Sequence, residues 1–166
     1  SYLLLSEPSV LGAYYKPPGE PPEMERKKTK DSAPDAPLDL RPSPTPSFES
    51  RQGYLDAAPG GIDARFAWTK PGGRGDGVRI IDLEWGWNFS HEDLLASSGG
   101  LLDGANHADT DHGTAVLGVI GGDSNGFGVS GISPNAQLSA ISFVSNSSAQ
   151  AIRKAADRLG AGDIIL

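Results

Sequence analysis

Proline decides where this chain can fold. Ten of its thirteen prolines fall within residues 1–50, whereas twenty of its twenty-two glycines come after residue 50. Proline fixes φ, removes a backbone donor and biases the preceding residue away from helix. Residues 1–50 therefore read as a Pro-rich irregular arm, with one short strand at Tyr2–Leu5. The arm is a disordered linker, or a connector between an upstream domain and the folded part. Residues 51–166 are rich in glycine and apolar residues, the composition of a folded unit with many tight turns.

Within that unit, strand and helix patterns alternate. "GGIDARFAW" reads as a short helix with Ile62, Phe66 and Ala67 on its inner face. "GVRIIDLEW" is a β-branched run bounded by glycine, which suits a buried strand. A polar loop follows as far as Asp111, and His112 then opens an apolar helix of small residues reaching about Gly121. "QLSAISFV" is a second strand. "SSAQAIRKAADRLG" is an amphipathic helix, with Ser147 and Gln150 spaced as a capping box and Ile152, Ala155, Ala156 and Leu159 facing inward. "DIIL" begins a third strand. Such alternation predicts an α/β fold, a parallel sheet flanked by helices.

The totals exclude several classes. A net charge of −7 argues against a nucleic-acid footprint, which needs clustered Lys and Arg. The one basic cluster, Arg26 to Lys30, lies in the Pro-rich arm and reads as a solvated linker. Without cysteine there is no disulfide, no thiolate zinc site and no thiol nucleophile. No apolar run approaches a membrane span, and the first residues make a poor signal peptide.

In open parallel sheets, chemistry gathers at the carboxyl ends of strands. Asp82 sits at such an end, and so does the loop leading to His112. A buried carboxylate that holds an imidazole fixes its tautomer and lets it serve as a general base toward a hydroxyl. Taken alone, either residue is also an ordinary cap or core residue.

Three segments in order, "GDGVRIIDLEWGWNFSHEDL", "DHGTAVLGVIGG" and "NGFGVSGISPNAQLSAISF", resemble the first half of a subtilisin-like serine protease, a subtilase. The resemblance implies a subtilisin-like sheet, here incomplete, and an endopeptidase that acts on protein or peptide substrates outside the cell. It makes Asp82 the triad aspartate and His112 the triad histidine, with Gly113 and Thr114 completing the histidine block. It also places structural Ca²⁺ ligands at Asp93 and Asn125, to be completed by carbonyls near Phe127 and Val129. Phe143 and Val144 become candidates for one wall of the substrate groove, or simply core residues.

Two departures qualify this reading. Leu83 and Glu84 stand where the family has a hydroxyl residue and glycine, and the loop to "SHEDL" is two residues longer than usual. Glu84 then either raises the pKa of Asp82 or points away from it. Furthermore, the family's oxyanion-hole asparagine and nucleophile serine fall beyond Leu166, so the partner expected for this chain is the C-terminal half of the same enzyme, and the 166 residues alone are expected to be inactive. Ser145, Ser147 and Ser148 belong to a helix entrance, not to a nucleophile turn. Two rivals stay open. One is a non-catalytic binding or regulatory module. The other is a metal-dependent hydrolase using His107, Asp109, Asp111 and His112 with Asp82 and Glu84.

Overall fold

The computed structural model describes residues 45–166. The strand expected at Tyr2–Leu5 and most of the Pro-rich arm lie outside them. Four strands, β1 (Arg79–Glu84), β2 (Ser98–Asp103), β3 (Gln137–Ser142) and β4 (Ile164–Ile165), form one sheet in the order β2-β3-β1-β4. Every pairing is parallel. Three α-helices accompany them: α1 (Ala64–Ala67), α2 (Asp111–Gly121) and α3 (Ser148–Ala156).

Side chains alternate across a strand, and here the alternation sorts the core into two halves. Ile80 of β1 and Leu138 and Ala140 of β3 pack with Leu117 of α2, Trp87 and Leu94. Ile81 and Ile141 face the other way and pack with Ala151 and Ala155 of α3. The result is a helix–sheet–helix sandwich, and each large aliphatic side chain sealed in it contributes roughly 1.5–3 kcal/mol. Register aligns Asp82 with Ala140 in mid-sheet and Glu84 with Ser142 at the carboxyl end.

Three expectations need correction. The stretch between β1 and α2 is not all loop, because Ser98–Asp103 pairs with β3 as an outer strand. In α1 the buried residue is Ala64, while Ile62 and Phe66 are 59% and 58% exposed. A single turn cannot bury a stripe. Trp68 anchors the segment instead, donating from Nε1 to the Ile132 carbonyl at 2.8 Å. In α3 the inward face is Ala151, Ala155 and the half-buried Leu159; Ala156 is exposed. The residues just before 51 also touch this unit: Phe48 donates to Gly128 O and Gly128 to Pro46 O, at 2.7 and 3.0 Å.

Candidate active site

The site forms where β1 ends and α2 begins. Residues 85–88 leave the sheet, and Trp85 and Trp87 are tied to residues 106 and 107. Asn106 grips Trp87 at both backbone groups (2.9 and 2.8 Å), and His107 N donates to Trp85 O at 2.9 Å. Thr114 ties the same loop to the helix, its Oγ1 accepting from Asn88 N at 2.8 Å while donating to Thr110 O at 2.6 Å. Gly113 is where loop and helix touch. A Cβ there would lie 2.4 Å from Gly86 O and 2.6 Å from Cδ1 of the Trp87 ring, so only glycine admits this approach.

That packing sets His112 against a carboxylate, and the carboxylate is Glu84. His112 Nδ1 lies 2.6 Å from Glu84 Oε2, with side chains 43% and 18% exposed. An ionised carboxylate only accepts, so Nδ1 carries the hydrogen and Nε2 of the neutral ring is left as a base. Asp82 points to a different partner. It is 1% exposed, and its Oδ2 accepts from the indole Nε1 of Trp87 at 2.7 Å. Burial pushes the Asp82 carboxyl up to about 7; the Trp87 hydrogen bond opposes that rise and the charge of Glu84 adds to it. Residues two apart on a strand share a face. Glu84 therefore does not point away from Asp82, and sequence reasoning gave it no partnership with His112. The D-x-E spacing was the available signal.

Asp93 and Asn125 also come together. Asp93 is buried, with Oδ2 accepting from Val129 N at 3.0 Å and Oδ1 from Asn125 Nδ2 at 3.2 Å. Asn125 Oδ1 is itself occupied by Phe127 N at 3.2 Å. Gly128 makes room, since a Cβ there would overlap the Asp93 carboxylate. Calcium wants a shell of oxygens, whereas the groups aimed at Asp93 are N–H donors. As arranged they do not fit the ion. Asp123, which sequence reasoning passed over, anchors the same region through Ala96 N and Ser97 N at 2.7 and 2.9 Å.

The acidic loop before α2 folds on itself: His107 Nδ1 accepts from Asp109 N, and Asp109 Oδ1 from Asp111 N. Among the described residues no group of three or more His, Asp or Glu side chains is placed to hold a metal ion. Phe143 is half-buried beside the α3 cluster and meets Trp85 edge-on at 5.1 Å. No helix of the described residues is long and apolar enough to cross a membrane.

No family model matches this chain. Two curated proteins do. Over 107 residues the chain is 34% identical to the minor extracellular protease Epr of Bacillus subtilis (strain 168), covering 62% of this chain and 14% of that protein. Over 107 residues it is 32% identical to the Aeromonas extracellular serine protease of Aeromonas sobria, covering 57% of this chain and 17% of that protein. The chain thus spans less than a fifth of the length of either relative. It carries a subtilase-related region, and the all-parallel sheet with flanking helices accords with that.

Proposed function

We propose that residues 51–166 form the acid–base half of a secreted, subtilisin-type serine endopeptidase. One observation carries the reading: a carboxylate at the carboxyl end of a central parallel strand holds Nδ1 of a part-exposed His112 at 2.6 Å, which leaves the other ring nitrogen for a reaction partner. The kinship with two proteins named as extracellular proteases supports it. Nε2 takes the proton of a serine hydroxyl as that oxygen attacks the scissile carbonyl. The carboxylate stabilises the resulting imidazolium, which then returns the proton to the leaving amine. The serine is supplied by sequence that follows Leu166. The local hydroxyl of Ser147 is committed to the cap of α3, accepting from Gln150 N. Substrates are proteins or peptides.

The test is to read and express the coding sequence past the Leu166 codon and treat the product with a fluorophosphonate. The reading expects one labelled serine, lost in His112→Ala, and no label on the 166-residue chain. A complete product without a reactive serine would sink the protease reading and leave a binding module in its place.

A further inference from the structure

We infer that Glu84, two residues beyond Asp82 at the end of β1, and not Asp82 itself, is the positioning acid of His112. The inference rests on the protease reading above for its catalytic meaning, though not for its geometry.

Two observations converge. The first is contact. Glu84 Oε2 lies 2.6 Å from His112 Nδ1, while the Asp82 carboxylate is turned to the Trp87 indole at 2.7 Å. The second is register. Glu84 is the last residue of β1, level with Ser142 at the last position of β3, whereas Asp82 is level with Ala140 inside the sheet. Reactive groups of open parallel sheets belong at the strand ends. The backbone of Glu84 is pinned there as well, its carbonyl accepting from Phe143 N at 2.7 Å.

The chemistry agrees. A positioning acid has to be ionised when the imidazole becomes charged. Asp82, sealed from water and pushed up to about 7, is only partly ionised near neutral pH. Its task is different: it holds the indole of Trp87, whose ring lies against Gly113 one residue after the base. Asp82 thus acts on the helix start through packing, and Glu84 acts on His112 through charge.

The decisive comparison is Glu84→Gln against Asp82→Asn. In the 166-residue chain, proton NMR of His112 reports the far-downfield Nδ1 proton of an imidazole bound to a carboxylate, and circular dichroism reports the fold. Glu84→Gln is expected to move that signal upfield without loss of fold, and Asp82→Asn to leave it in place. In the product of the complete reading frame, Glu84→Gln is expected to lower kcat about a thousand- to ten-thousand-fold at little changed KM, and Asp82→Asn to lower it less than tenfold. If Asp82→Asn removes the signal, or if Glu84→Gln leaves it untouched, the assignment is overturned. A complete product with no protease activity but with the NMR result intact would defeat the protease reading alone.

Discussion

At the scale of single residues, Asp82 has the most lopsided environment in the site. Its carboxyl is pushed from an ordinary 3.8 up to about 7, first by burial and also by the charge of Glu84. The native state therefore keeps a proton that the unfolded chain releases. Stability falls as pH rises from about 4 to about 7 and levels off above that. Asp82→Asn keeps an oxygen acceptor for the Trp87 indole and removes the titration. Its melting temperature is expected to gain on the parent as pH climbs through that window, as read by thermal melts from pH 4 to 8; a parallel offset at every pH would contradict this. Gly113→Ala tests the other half of the contact. The new methyl would meet backbone oxygen at 2.4 Å and the indole at 2.6 Å, and overpacking of this kind costs about 1–3 kcal/mol. A melting temperature unchanged in Gly113→Ala would refute the close approach of loop and helix. The place of His112 at the start of α2 was legible at this scale because its helix of small residues is distinctive. The identity of its partner was not, because D-x-E puts two acids on one face and only three-dimensional reach separates them.

Single elements were legible where the cue is local. The capping box of α3 is such a case: Ser147 Oγ accepts from Gln150 N, and Gln150 Oε1 accepts from Ser147 N. Ser147→Ala is expected to cost about 1 kcal/mol in chemical denaturation. β2 escaped notice because Gly99 and Gly100 break its pattern, and because what makes "SGGLLD" a strand is the pairing with β3, a distant segment. The 123–129 loop is likewise set from afar, by the Asp93 carboxylate accepting from Val129 N and Asn125 Nδ2. Asp93→Ala strips those donors of a buried acceptor, and each lost partner costs about 1–3 kcal/mol, so hydrogen exchange in residues 123–129 is expected to accelerate. Because the donors facing Asp93 are N–H groups, the melting temperature is expected to be the same in calcium and in chelator. A rise in calcium would mean that the Asn125 amide turns to offer its oxygen.

For the whole molecule, the alternation of apolar runs was enough to foresee a parallel sheet, but not its order. β3 lies between β2 and β1, and β4 reaches β1 by crossing from β3, so every neighbour is distant in sequence. That order leaves β4 on the rim of the sheet. Leu166 spends both backbone groups on β1, donating to Ile81 O and accepting from Leu83 N at 3.0 and 3.1 Å. Alternation then turns the N–H and C=O of Ile165 toward the open side. Ile164, Ile165 and Leu166 are also all exposed. An apolar rim with unpaired backbone groups is a template for another strand. The 166-residue chain is therefore expected to self-associate with rising concentration in sedimentation velocity. Ile165→Lys, which sets a charge on that rim while keeping the pairing to Ile81, should return it toward monomer. A parent chain that stays monomeric at every concentration would show that the rim is guarded by something other than its own chemistry.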